Sequence, residues 1–250
     1  MVIKWDVTIP PLSGDKTRRG YVYLPESYDR EPEKRYPVLY MFDGHNVFFD
    51  EDATFGKSWG MKKYLDEHPH DLIVVGIECN NEGWRRLNEY SPVDFSYKEL
   101  EIKGEGKVYM DWLVGTLKPY IDATYRTIPD RKHTAIGGSS MGGLMSLYAV
   151  CDYSDVFQRA ACLSPSLWVN RSATTAMLRE AAPAADARIY MDYGTEELSN
   201  HEDTPESLLA AVEILLQKKL DLTYRTILGG THCEASWEKQ IPVFMKCLDL

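Results

Sequence analysis

A serine lies between two glycines at the point where an apolar run gives way to a helical pattern. The apolar run is Thr134 to Ile136, the motif is Gly138-x-Ser140-x-Gly142, and the helical pattern continues from Leu144. A serine on a sharp strand-to-helix turn needs small neighbours, because side chains there would collide with the backbone. The helix that follows directs free N–H groups at the serine. The pattern predicts a nucleophilic serine, with a glycine-rich connecting turn as the alternative.

Extended and helical patterns alternate along the rest of the chain. Strands are predicted at residues 3–9, 18–24, 37–42, 71–77, 133–136, 160–163, 187–193 and 222–228. Helices are predicted at residues 58–67, 108–120, 141–150, 175–182, 205–218 and 236–247. Strands separated by helices form a parallel sheet that binds ligands at the carboxyl ends of its strands. We therefore predict one α/β domain over residues 1–250: a mostly parallel central sheet of about eight strands, helices on both faces, and an antiparallel opening pair.

Residues 80–106 form a long segment without a regular pattern. A loop of this length in a compact domain is more often functional than idle, so we expect an active-site-proximal loop or cap. Trp84 and Arg86 in this segment are candidate substrate-binding residues, together with Trp168 after another strand end. The alternatives are cap packing for the aromatic residues, and an ion pair to Glu82 or Glu89 for Arg86.

Composition and charge limit the partners of the chain. The net charge of −10 argues against nucleic acid and anionic membrane surfaces. No apolar run reaches the roughly 18 residues of a membrane span, and the N-terminus lacks the pattern of a signal peptide.

The five cysteines are scattered without a C-x-x-C pair, which suggests neither a zinc site nor disulfides. We expect a cytoplasmic protein without metal or organic cofactor; the oligomeric state is open, with a homodimer as one option.

A serine nucleophile requires a base, and a third group that orients the base. In this fold class the acid follows the serine and the histidine comes last. His232 follows the last predicted strand and two glycines, so it is the predicted base, with His201 as the second choice. The acid is expected after the strand at 187–193, where Glu197 ranks first. Glu196 and Asp192 remain alternatives.

Two backbone N–H groups are expected to hold the oxyanion of the reaction. One belongs to Met141, immediately after the serine. The other comes from the loop after the third strand, residues 42–46, where a glycine permits a tight turn. We assign it to the backbone of His45, whose imidazole need not take part and is not a candidate base.

Several short motifs follow one another along nearly the whole chain. They are Leu39 to Gly44, Ser58-Trp59-Gly60, Arg86-x-x-Glu89-Tyr90-x-Pro92, Gly138 to Gly143, Ser164 to Trp168, Gly194-Thr195-x-Glu197, and Gly230-x-His232 followed by Trp237. In this order they resemble the esterase D-like family of α/β-hydrolases. That family includes feruloyl and acetyl-xylan esterases, siderophore esterases, S-formylglutathione hydrolases and mycolyltransferases. The resemblance implies Ser140 as nucleophile, His232 as base, Glu197 as acid, and His45 and Met141 as oxyanion donors.

The resemblance also implies a reaction, the hydrolysis of carboxylic esters through an acyl-enzyme. We expect a small-molecule or oligosaccharide substrate, with acetyl or aromatic acyl (hydroxycinnamoyl) groups on a carbohydrate, because an aromatic-rich mouth suits an aromatic ring or a sugar. The alternatives are a catecholate trilactone (siderophore) esterase, an S-formylglutathione-type thioesterase, an acyltransferase, or a non-catalytic binding protein on the same fold.

Overall fold

Two sheets form the frame of the computed structural model, which describes residues 1–197 and 204–250. Their strands are β1 Val2–Thr8, β2 Thr17–Tyr23, β3 Val38–Met41, β4 Ile73–Ile77, β5 Phe95–Tyr97, β6 Leu100–Ile102, β7 Thr134–Ser139, β8 Arg159–Leu163, β9 Arg188–Gly194 and β10 Asp221–Ile227. The central sheet has the order β1-β2-β4-β3-β7-β8-β9-β10, and β5 pairs with β6 as a separate hairpin. β1 and β2 run antiparallel, as do β2 and β4, while the remaining central pairs are parallel. The predicted α/β fold with its eight central strands is confirmed.

Helices connect most of these strands. They are α1 Pro10–Ser13, α2 Ser27–Arg30, α3 Met61–Glu67, α4 Arg85–Glu89, α5 Gly106–Trp112, α6 Lys118–Thr124, α7 Met141–Asp152, α8 Arg171–Glu180, α9 Thr204–Gln217, α10 Glu234–Glu238 and α11 Ile241–Leu248. A π-helical turn, Leu113–Leu117, joins α5 to α6. Within the described ranges, none of the helices combines the length and apolar character needed to cross a membrane.

The central sheet is buried between two helical layers. Along β3, Leu39 and Met41 pack into a cluster with residues of α3 and α11. Val38 and Tyr40, on the opposite face, pack into a second cluster with residues of α5 to α9. Because successive strand residues point to opposite faces and both faces are covered, β3 reads as a continuous apolar run.

Three predicted elements differ from the observed ones in more than their bounds. The helix predicted over 108–120 is interrupted by the π-helical turn between α5 and α6. The segment 80–106 is not irregular throughout: it contains α4 and the hairpin of β5 and β6, which are too short to give a recognisable period. The helix predicted over 236–247 is two helices, α10 and α11. Pro242 lies in the first turn of α11, where its missing N–H costs nothing, whereas inside one long helix it would remove a hydrogen bond.

Candidate active site

Ser140 lies on the turn between β7 and α7 in a conformation that is rare for a residue with a side chain. Its backbone angles are φ 58° and ψ −122°, a region that costs on the order of 1–3 kcal/mol. A Cβ on Gly138 would lie 2.9 Å from the carbonyl carbon of Gly142, and one on Gly142 would lie 2.9 Å from Cβ of Phe42. The two glycines therefore permit the sharp turn that holds Ser140 in this conformation.

His232 and Glu197 meet at the carboxyl ends of the neighbouring strands β9 and β10. His232 Nδ1 lies 2.5 Å from Glu197 Oε2. The other oxygen, Oε1, accepts hydrogen bonds from the N–H of Gly194 at 2.6 Å and the hydroxyl of Ser164 at 2.7 Å. A Cβ on Gly194 would lie 2.2 Å from the carbonyl oxygen of Gly230, so only glycine lets the two loops approach this closely.

The alternative acids have other surroundings. Glu196 is exposed, and Thr195 donates to its carboxylate at 3.4 Å. Asp192 is buried and accepts hydrogen bonds from the Tyr190 hydroxyl at 2.7 Å and the Ser164 N–H at 3.3 Å. Of the three carboxylates, Glu197 is the one hydrogen-bonded to His232. The second-choice base, His201, lies outside the described residues.

The hydroxyl of Ser140 has Ser166 as its hydrogen-bond partner, with 3.3 Å between the two Oγ atoms. No hydrogen bond joins Ser140 to His232 in the part of the chain that the structure describes. Hydrogen bonds between a nucleophile and its base are often long without substrate and tighten when substrate binds. Ser166 was assigned no role from the sequence, although it lies in the motif Ser164 to Trp168.

Both predicted oxyanion donors lie at the start of helical segments: His45 is the second residue of the 3₁₀ turn Gly44–Asn46, and Met141 is the first residue of α7. Among residues 1–197 and 204–250, neither the N–H of His45 nor that of Met141 has an acceptor. The His45 ring is directed elsewhere, because its Nε2 lies 2.9 Å from the Thr54 hydroxyl. Burial lowers the pKa of His45, which favours the neutral ring. The backbone of His45 is thus left as the group available to a ligand.

Arg86 forms a two-pronged ion pair with Asp43, just before the turn that contains His45. Its Nε and Nη2 donate to Oδ1 and Oδ2 of Asp43, each at 2.7 Å. Burial opposes ionisation of Asp43, but Arg86 outweighs it and holds the pKa of this carboxyl below its ordinary value. The alternative partners named for Arg86 are therefore wrong: Glu82 pairs with Lys16, and Glu89 pairs with Arg18.

Asp43, His45 and Cys79 bring three potential metal-ligating atoms within 4.8 Å of one another. Both oxygens of Asp43 are already engaged by Arg86. Burial also raises the pKa of the Cys79 thiol, which disfavours the thiolate that binds metals. The group fits a guanidinium-stabilised carboxylate rather than a cation site, and we assign no metal to it.

The predicted aromatic substrate-binding residues share one neighbour, Tyr97 of the hairpin. The ring centroid of Trp168 lies 5.7 Å from that of Tyr97 and 6.1 Å from that of Phe95. Trp84, which is 51% exposed, contacts Tyr97 edge-on at 6.0 Å. Trp168 follows Ser166, the hydrogen-bond partner of Ser140, by two residues along the chain.

Two residues that were assigned no role from the sequence, Ser164 and Trp237, support Glu197 and His232. Trp237 donates from Nε1 to the Ser164 hydroxyl at 3.0 Å, and that hydroxyl donates to Glu197. The Trp237 ring packs edge-on against His232 with 5.1 Å between centroids. Both residues lie in the quoted motifs. The position of Ser164, immediately after β8, was the one signal that could have identified its role.

Known proteins and solved structures are similar to this chain in sequence and fold. The uncharacterized protein YbbA of Bacillus subtilis (strain 168) is 27% identical over 183 residues, 72% of this chain and 69% of YbbA. Ferri-bacillibactin esterase BesA of the same organism is 23% identical over 175 residues, 64% of this chain and 57% of BesA. A solved ferulic acid esterase superposes with a TM-score of 0.70 at 20% identity and covers 100% of this chain and 97% of its own. Residues 13–246 match the family described as "Putative esterase". The chain therefore belongs to this family, has the α/β-hydrolase fold and is a carboxylic ester hydrolase.

Proposed function

We propose that the protein is a serine esterase that works through an acyl-enzyme formed on Ser140. The observation that carries this proposal is the buried Glu197 carboxylate 2.5 Å from His232 Nδ1, at the sheet edge where Ser140 is held in its strained turn. A carboxylate on Nδ1 orients the imidazole and stabilises the imidazolium, which leaves Nε2 to move protons.

The proposed reaction follows from these positions. His232 Nε2 accepts the proton of Ser140 as Oγ attacks the ester carbonyl, and the oxyanion is held by the N–H groups of His45 and Met141. The bond to the alcohol then breaks, and the alcohol leaves with the proton from His232. Water attacks the acyl-enzyme in the same way and releases the acid and Ser140.

The proposed substrates are acetyl or aromatic acyl esters of carbohydrates. The cluster of Trp84, Tyr97 and Trp168 supports this assignment, since aromatic faces stack on both aromatic acyl groups and sugar rings. The similarity to a ferulic acid esterase agrees with it.

A siderophore ester is the second candidate substrate. One support is the similarity to BesA. The other is Lys98, which adds a positive charge to the aromatic cluster: its ammonium lies 5.3 Å from the ring centroid of Tyr97 and 5.8 Å from that of Trp84. We further propose that the enzyme acts in the cytoplasm on small ester substrates.

The test is hydrolysis of an ester panel by the wild type, Ser140→Ala and Ser172→Ala, an exposed serine of α8 that serves as control. The panel contains p-nitrophenyl acetate and butyrate, methyl ferulate, an acetylated xylo-oligosaccharide and a catecholate trilactone. Ser140→Ala should lower kcat on the order of 10⁶-fold and abolish labelling by a fluorophosphonate, while Ser172→Ala changes neither. Equal rates for all three proteins would refute the serine mechanism. Transfer of the acyl group to an added alcohol in preference to water would instead identify an acyltransferase.

A further inference from the structure

We propose that Arg86 is a positioning residue that holds the oxyanion loop, residues 42–46, in its reactive shape through Asp43. The inference rests on the proposed function, because it gives Arg86 a role in placing the N–H of His45. It replaces direct substrate binding as the role of this arginine.

Asp43 is the residue at which the oxyanion loop turns. Its angles of φ 53° and ψ 50° lie in the left-handed region, which is uncommon for a residue with a side chain. Its carboxylate is held by Arg86, its N–H donates to the Tyr90 hydroxyl at 3.2 Å, and its carbonyl accepts from the N–H of Asn46 at 2.8 Å. The residue is thus fixed at its side chain and on both sides of its backbone.

The helix that carries Arg86 is itself anchored to the sheet. Arg18 of β2 donates from Nη1 to both carboxylate oxygens of Glu89 at 2.8 Å. Glu89 also accepts from the N–H of Asn80 at 2.7 Å. The guanidinium of Arg86 lies 5.3 Å from the ring centroid of Tyr90. Because Arg18 and Glu89 are buried, α4 provides a fixed support from which Arg86 and Tyr90 reach the loop.

Loss of Arg86 would leave the Asp43 carboxylate without its partner in a buried site. The Asp43 side chain is 8% exposed, and a buried unpaired carboxylate is costly, so the loop would shift to hydrate it. A shift of about 1 Å in a positioning group can cost about 100-fold in rate. Since the N–H of His45 is two residues from Asp43, the loss should fall on transition-state stabilisation and not on substrate binding.

The experiment compares Arg86→Ala, Arg86→Lys and a matched control, Arg131→Ala. Arg131 also bridges both oxygens of an aspartate, Asp186, at 2.7 and 2.9 Å, but it precedes β7 at the opposite edge of the sheet. We measure kcat and KM on neutral p-nitrophenyl butyrate, Ki for an aryl trifluoromethyl ketone, and the end-point fraction labelled by a fluorophosphonate. The ketone reports the oxyanion site, because its adduct carries a negative oxygen there.

Arg86→Ala should lower kcat about 10- to 100-fold per labelled site, leave KM within about 3-fold, and weaken the ketone by a similar factor. Arg86→Lys should recover part of the loss, because its ammonium still pairs with Asp43. Arg131→Ala should keep the kcat and Ki of the wild type. If Arg86→Ala does not fold, Tyr90→Phe should show the same pattern with a smaller factor.

Wild-type kcat and Ki in Arg86→Ala, or in Tyr90→Phe where that variant is used, would overturn the inference. A rise in KM confined to anionic esters, with unchanged kcat on the neutral ester, would overturn it in favour of substrate binding. These outcomes are distinct from failure of the proposed function, which would show as full activity in Ser140→Ala.

Discussion

Two buried carboxylates at the carboxyl end of β9 are separated in role by their hydrogen bonds. Both accept from Ser164: Asp192 from its N–H and Glu197 from its hydroxyl. Only Glu197 continues the chain to His232, and Asp192 is instead bonded to the Tyr190 hydroxyl. The sequence left Glu196, Glu197 and Asp192 as alternatives because all three lie within six residues, and only the fold decides which one reaches the histidine.

We predict that Glu197→Gln lowers kcat about 10²- to 10⁴-fold, since it removes the anion that orients His232 and stabilises its protonated form. Asp192→Asn at pH 8 and Glu196→Gln should stay within about 3-fold of the wild type, because neither side chain contacts His232 in the described structure. The measurement is kcat on p-nitrophenyl butyrate with active sites counted by fluorophosphonate. A large loss in Asp192→Asn with a small one in Glu197→Gln would make Asp192 the acid.

Among the secondary-structure elements, the sequence predicted those that a local residue pattern specifies. The eight central strands follow patterns long enough to recognise, and Ser140, Glu197 and His232 were predicted as site residues because each follows a strand end. The pairing of Arg86 with Asp43 could not be found in this way, since 43 positions separate the two residues and the contact depends on where α4 packs. The short helix and hairpin within 80–106 were missed for the same reason: packing, not periodicity, sets them.

A close approach between β4 and the oxyanion loop allows a test of how these two elements pack. A Cβ on Gly76 would lie 2.7 Å from Cα of Gly44, closer than real contacts allow. We predict that Gly76→Ala pushes the loop away, lowers kcat about 10-fold or more, and destabilises the fold by about 1–3 kcal/mol.

The control for this prediction is Gly115→Ala, because nothing lies within 4 Å of the added methyl group. Gly115 is in the π-helical turn, so the substitution should leave kcat unchanged and add up to about 1 kcal/mol of stability. Kinetics and urea unfolding of the two variants provide the comparison. Equal kcat for Gly76→Ala and Gly115→Ala would show that the oxyanion loop tolerates displacement.

The stability of the whole molecule should depend on pH through Asp192. Burial raises the pKa of this carboxyl from its ordinary 3.8 to about 6, and the Tyr190 hydroxyl and Ser164 N–H only partly oppose the effect. Between these two pH values the unfolded chain gives up the Asp192 proton while the folded chain keeps it. The stabilising contribution is therefore full below pH 3.8 and is lost as the pH rises through 6.

Asp192→Asn removes this titration, so its unfolding free energy relative to the wild type should increase as the pH rises from 4.5 to 7.5. A raised pKa of about two units corresponds to about 3 kcal/mol across the full range. Urea unfolding of the two proteins at several pH values measures this difference in free energy. The contributions of titrating groups that both proteins share cancel in the difference. Tyr190→Phe should act in the opposite direction, because the ionised Asp192 loses a hydrogen-bond donor. The stability of this variant should therefore fall further below that of the wild type at pH 7.5 than at pH 4.5. Parallel stability curves for the wild type and Asp192→Asn would mean that Asp192 titrates alike in the folded and unfolded chains.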